Sequence, residues 1–214
     1  MINKIKEKPI IIIGQGPSAK NLEDRIQEFK GKDVLWASLN RFKLIDKEIL
    51  SQISQRLDII YCSSDERFKQ SMEHIKDHLR WDGVFISTHK IYASMSRMFS
   101  HKDLSLTYGA DWGYGFSSIF AMLCALGKMD ARRIYLVGFD GEARGGKTYY
   151  KQEQLNDNMD ARATSIAADT RMMNKIFWDY WKHIGLGQIS IRNLLGSSIE
   201  CFGQLSLDDM LEEI

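Results

Sequence analysis

Five short apolar runs, each followed by a stretch of helical periodicity, constrain the fold of this chain more than any other feature. Pro9–Ile13, Val34–Ala37, Leu57–Cys62, Val84–Ser87 and Ile134–Val137 are continuous rather than alternating in character. A strand that is apolar at every position is buried on both faces, which is the mark of a parallel sheet covered by helices on either side. Helical patterns fill the intervals at Ala19–Phe29, Asp46–Gln55, Glu66–His78, Ser117–Leu126 and Thr164–Ile184. This β-α-β-α rhythm predicts a doubly wound, mostly parallel α/β sheet.

Two of these helices have distinct tasks. Ile119 to Leu126 is apolar all round, so that helix is expected to pack centrally against the sheet, with Gly127 as its C-terminal stop. The helix at Thr164–Ile184 is amphipathic, with Met173, Phe177, Tyr180, Trp181 and Ile184 at helical spacing and Gly185 closing it. Its aromatic stripe reads as core rather than as a cofactor contact. Near the C-terminus, Ser206-Leu207-Asp208-Asp209 fits a capping box that opens a short final helix.

The totals suit one domain over 1–214. At 44% apolar and 27% charged residues the chain resembles ordinary globular proteins. A net charge of +1 provides no general attraction to nucleic acid or to an anionic membrane surface, so no nucleic-acid partner is expected. No apolar stretch approaches the ~18 residues of a membrane span, and the charged segment before Ile10 leads into too few isoleucines for a secretory leader. Cys62, Cys124 and Cys201 are odd in number and far apart, against a disulfide framework or zinc site. A cytoplasmic setting follows as the expectation, and the oligomeric state stays open.

The first apolar run leads directly into Gly14-Gln15-Gly16-Pro17-Ser18. Two glycines let the backbone turn tightly and approach a ligand without a Cβ in the way, and proline suits the first helical turn. Free amides there would favour an anion such as phosphate, although the loop is neither a full GxGxxG fingerprint nor a Walker loop. A plain strand-to-helix turn is the alternative.

Asn40 follows the second strand, where a carboxamide can bond a ribose hydroxyl or a base edge or simply make a turn. Ser117 and Ser118 precede the buried helix, as anion-binding hydroxyls or as caps. Asp140 ends the strand Ile134–Val137, where it either orients a substrate hydroxyl or makes an Asx-turn with Gly141. The polar, glycine-bearing stretch from Asp140 lies beyond a strand end, so 140–170 is expected to be a lid or substrate loop. Asp157 to Asp160 reads as a solvated run rather than a metal cluster, and no metal is expected.

Taken in order, Ile11–Ser18, Ser38–Phe42, Ser117–Phe120 through Ala125–Gly127, Ile134–Asp140 and Asn193–Leu195 to Phe202 resemble the bacterial sialyltransferases of the Campylobacter type (glycosyltransferase family 42) and the related Rossmann proteins grouped as DUF115. The resemblance implies one Rossmann-like domain with a small lid and a metal-independent, inverting glycosyltransferase. The donor implied is a nucleotide-sugar, CMP-sugar favoured, with no further cofactor and with a surface-glycan acceptor. It places the family's Gly-Asn-Gly-Pro-Ser loop on Gly14–Ser18, with Gln15 for asparagine, and nucleotide contacts on Asn40, Ser117 and Ser118. Tyr149 or Tyr150 would hold the donor phosphate. The family's catalytic histidine falls where this chain reads Ser165 to Thr170, with no histidine; Asp169 is the substitute base, unless His89 or His101 reaches in. Two alternatives remain beside it, a pterin pyrophosphokinase-like diphosphate transferase and a catalytically silent nucleotide-binding domain.

Overall fold

The computed structural model describes residues 2–39, 46–62, 79–87, 105–109, 117–142 and 159–214. The strands are β1 (Ile10–Ile13), β2 (Leu35–Leu39), β3 (Leu57–Cys62), β4 (Leu79–Ser87), β5 (Ser105–Gly109), β6 (Arg133–Val137), β7 (Ser190–Leu194) and β8 (Gly203–Leu205). They form one eight-stranded sheet in the order β5-β4-β3-β2-β1-β6-β7-β8. Each neighbouring pair is parallel. The chain moves outward from β1 through β2 to β5, then returns to the other side of β1 with β6. The strand order therefore reverses between β1 and β6.

Helices cover both faces: α1 (Ile2–Glu7), α2 (Ala19–Asp24), α3 (Asp46–Ser51), α4 (Ser118–Lys128), α5 (Met159–His183) and α6 (Leu207–Glu213). The isoleucines of β1 show why. Ile11 and Ile13 enter one core with Leu22, Phe29, Ile49, Leu50 and Met210, beneath α2, α3 and α6. Ile10 and Ile12 enter the other with Ile5, the whole apolar body of α4, and Met173, Phe177 and Trp181 of α5. A strand with apolar demands on both sides must read as a continuous run. This is the Rossmann-like α/β architecture expected from the apolar pattern.

Several local expectations are corrected. The helix expected over Ala19–Phe29 stops at Asp24 and resumes as a 3₁₀ turn at Ile26–Phe29. Arg25, at φ −121° and ψ 15°, makes the break, and its guanidinium pairs with Glu28 and Asp208. Leu22, Ile26 and Phe29 stay in the core throughout, so the periodicity survives the change of helix type. The helix at Asp46 ends at Ser51, and Ser54 takes φ +57°.

Gly127 is no stop: it lies inside α4, which runs to Lys128. A Cβ on Gly127 would overlap Trp181 Cη2 and come 2.7 Å from Cζ2, so the glycine is the notch in which α5 lays its indole. Helix α5 begins at Met159, before the expected Thr164. The helix expected over Glu66–His78 lies outside the described residues. Elements α1, β5, β7 and β8 were not foreseen, and β4 begins at Leu79 rather than Val84. Among the described residues no helix is long and apolar enough to cross a membrane.

Candidate functional site

In open α/β sheets the ligand lies outside the carboxyl ends of the strands where the strand order reverses. Here that point is the crevice beyond β1 and β6, between Gly14–Ser18 and Gly138–Asp140. The two segments are laced together. The Gly14 amide donates to the Val137 carbonyl at 2.6 Å, and the Gly16 amide to the Gly138 carbonyl at 2.8 Å. The Ser18 amide and hydroxyl both donate to Asp140 Oδ2, at 3.1 and 3.0 Å. The Gly138 amide in turn donates to Ser18 Oγ at 3.2 Å.

Only glycines allow this approach. A Cβ on Gly14 would overlap the Gly138 carbonyl oxygen, and one on Gly16 would overlap Asp140 Oδ2. Gly138 adopts φ +77°, where an L side chain is strained, and its own Cβ would stand 2.6 Å from the Gly14 carbonyl oxygen. For Gly14, Gly16 and Ser18 the same contacts correct the sequence expectation of free loop amides. Gly14, Gly16 and Ser18 donate across the crevice, the Ala19 amide donates to Gly16 O and the Lys20 amide to Pro17 O. Pro17 has no amide hydrogen.

Asp140 is 3% exposed. Its carboxylate reaches across to Ser18. The backbone around Asp140 is held from three sides. Asn193 Nδ2 and Ser197 Oγ donate to the Phe139 carbonyl at 3.1 and 2.7 Å. The Ser198 amide donates to the Asp140 carbonyl at 2.8 Å. Thr170 Oγ1, on α5, donates to the Gly141 carbonyl at 2.8 Å. Asn174, one turn further along α5, donates to Ser198 O and accepts from the Glu200 amide, which fixes the segment after β7 against the helix. Asn193, Ser197, Thr170 and Asn174 were not singled out as site residues. The motif run from Asn193 to Phe202 pointed only to their neighbourhood.

The other expected site residues are placed as follows. Ser117 and Ser118 lie at the start of α4, half-buried, with Ser117 Oγ accepting from the Phe120 amide at 3.4 Å. A helix that returns between parallel strands begins at their carboxyl edge, so this end of α4 shares an edge with Gly14–Ser18. Asp169 is half-buried on α5, next to Thr170, and burial raises its carboxyl above the usual aspartate range. Because Thr170 touches Gly141, the residues of α5 from Met159 to Asp169 extend past the strand end by about 16 Å, at ~1.5 Å per residue. That part of the 140–170 segment is helix. Asn40, Tyr149, Tyr150, His89 and His101 lie outside the described residues, as do residues 143–158.

Deeper in the sheet, the Tyr61 hydroxyl is held in the un-ionised form by burial, with the Cys62 and Cys124 thiols close by. Burial likewise pushes the Cys124 thiol up to about 12. Neither group is suited to chemistry at the crevice.

No protein-family model matches the sequence, and no curated protein matches it. Among solved structures, the chain superposes on the MAf glycosyltransferase from Magnetospirillum magneticum AMB-1 with a TM-score of 0.54 and 14% identity. The match covers 96% of this chain and 36% of that one, so this chain spans about a third of the length of its structural neighbour. The two share a fold.

Proposed function

We propose that the crevice beyond β1 and β6 binds a nucleotide-sugar and that the protein transfers the sugar to a hydroxyl acceptor. The observation that carries this is the reversal of strand order between β1 and β6, with Gly14–Ser18 and Asp140 at the point where such sheets bind ligands. A fold held in common with a glycosyltransferase supports it, as do the ordered motifs resembling family 42 and the DUF115 proteins. On that resemblance the donor is a CMP-sugar, the acceptor a surface glycan made from the cytoplasmic side, and Gly14–Ser18, Asn40, Ser117, Ser118 and Tyr149 or Tyr150 line the nucleotide.

In an inverting transfer the acceptor oxygen attacks the anomeric carbon while the bond from that carbon to the phosphate oxygen breaks. The nucleotide departs with the bonding electrons, and the acceptor's proton passes to a base. Asp169 is assigned that role: its carboxyl is half-buried, and burial makes it a stronger base than an exposed aspartate.

Thermal shift against CMP, UDP, GDP and ATP, with and without magnesium, tests the binding. Stabilisation by CMP without magnesium supports the proposal. A magnesium-dependent response to ATP alone would replace it with diphosphate transfer, and no response to any nucleotide would refute it. CMP release from CMP-sugars, lost in Asp169→Asn while CMP still binds, tests the assigned base.

A further inference from the structure

We infer that the Gly14–Ser18 loop carries its own anion, the Asp140 carboxylate, and that the part of a donor meeting this loop is therefore uncharged, its ribose or base. The donor's phosphate is held by groups elsewhere in the crevice. The identity of the donor rests on the nucleotide-sugar proposal above; the internal anion does not.

In dinucleotide-binding folds the second glycine of the loop lets the backbone approach a pyrophosphate, and the start of the following helix supplies the amides that hold it. The corresponding glycine here is Gly16, and the space left by its missing Cβ is occupied by Asp140 Oδ2. The same oxygen accepts from both the amide and the hydroxyl of Ser18, the two donors a phosphate oxygen would use. Gly14, Gly16, Ala19 and Lys20 direct their amides to carbonyls of the fold.

A phosphate arriving at Ser18 would have to evict a carboxylate that is 3% exposed or rest against it as a like charge. Eviction is resisted because the backbone on both sides of Asp140 is fixed, through Asn193 and Ser197 on Phe139 and through Thr170 on Gly141. A sugar or base edge carries no charge and meets no such repulsion.

The test uses the full chain as wild type, Asp140→Ala, Asp140→Asn and Asp140→Ala/Ser18→Ala. Melting is followed with sodium formate or inorganic phosphate against sodium chloride of equal ionic strength. The wild type is expected to ignore both anions. Asp140→Ala should melt lower and regain part of the loss with formate, which fills the vacated position, and the regain should vanish when Ser18 is also alanine. A Ser18-dependent stabilisation of the wild type by phosphate, or absence of rescue in Asp140→Ala, would overturn the inference.

Asp140→Asn keeps the shape and removes the charge, and decides the matter even where Asp140→Ala does not fold. Cytidine and CMP titrations should show the same fold-change in Kd for both ligands. A tightening of CMP relative to cytidine by tenfold or more would place the phosphate beside Asp140 and overturn it. Failure of the wild type to bind either cytidine or CMP would instead refute the CMP-sugar donor of the proposal above and leave the formate result to decide the internal anion.

Discussion

Gly16→Ala is the substitution whose cost follows most directly from the geometry. The added methyl would overlap Asp140 Oδ2 and stand 2.8 Å from the Gly138 carbonyl oxygen. Neither neighbour is a flexible chain end. The carboxylate is fastened to Ser18 by two hydrogen bonds, and the carbonyl is backbone that already accepts from the Gly16 amide. Overpacking of this kind costs about 1–3 kcal/mol. Pushing the carboxylate off Ser18 adds the loss of charge-assisted bonds worth roughly 1.5–3 kcal/mol.

A destabilisation of about 3 kcal/mol or more is expected. For a domain of this size that lowers Tm by roughly 6–12 °C, at ~2–4 °C per kcal/mol. Urea unfolding of Gly16→Ala, Asp140→Ala and the double variant gives the decisive cycle. Once Asp140 is alanine the first clash is gone and only the carbonyl contact remains. The double variant should therefore be more stable than the sum of the single effects by about 1 kcal/mol or more. A Gly16→Ala protein within ~0.5 kcal/mol of wild type, or strict additivity, would refute the account of the loop.

Three further outcomes are expected. Gly127→Ala should destabilise by about 1–3 kcal/mol although alanine is the better helix former by ~1 kcal/mol, because Trp181 is held by its bond to the Gly187 carbonyl; Trp181→Phe should reduce the effect, and thermal unfolding reads both. Burial raises the Asp169 carboxyl, so the folded state holds that proton more tightly than the unfolded chain, and the linked stability is complete below the ordinary aspartate pKa and lost as pH rises through the raised value. Asp169→Asn should accordingly melt above wild type at about pH 7 and converge with it near ~pH 3, and a lower Tm at neutral pH would count against the buried carboxyl. The Cys124 thiol, buried and pushed up to about 12, should react with a disulfide reagent only on unfolding, and rapid labelling of the native protein at Cys124 would contradict its packing within α4.

The central part of the fold was legible because strands buried on both faces leave no polar position to obscure them. β1 and β6 were placed to within a residue on that ground. At the sheet margin the same signal fails. β7 begins on an exposed serine and carries a half-buried arginine at its centre, β8 has three residues, and β4 opens with Arg80 and Asp82 among its strand positions. Arg80 pairs with the buried Asp58, whose other oxygen accepts from the Trp36 amide, so a charge inside the strand is employed in joining strands.

The site divides along a similar line. The glycine loop and Asp140 were visible as local motifs, but the bond between Ser18 and Asp140 joins residues 122 positions apart. Sequence alone consequently leaves the amides of Gly14, Gly16 and Ser18 free where the fold uses them itself. Gly127 shows the converse error: a one-dimensional rule for helix ends was applied to a glycine whose reason, Trp181, lies on another helix.

The all-parallel order has a consequence for synthesis. β1 lies between β2 and β6, and β6 is made only after about 100 further residues have followed β2. At translation rates of ~5–20 residues per second, one edge of β1 stays unpaired for roughly 5–20 s. That edge runs through four consecutive isoleucines, with no charge or proline inside the strand to discourage pairing with another chain. Lys6, Glu7, Lys8 and Pro9 stand immediately before it and guard one flank. The nascent protein is thus exposed to aggregation until Arg133–Val137 arrives, and fragments ending before that strand should require a chaperone to stay in solution.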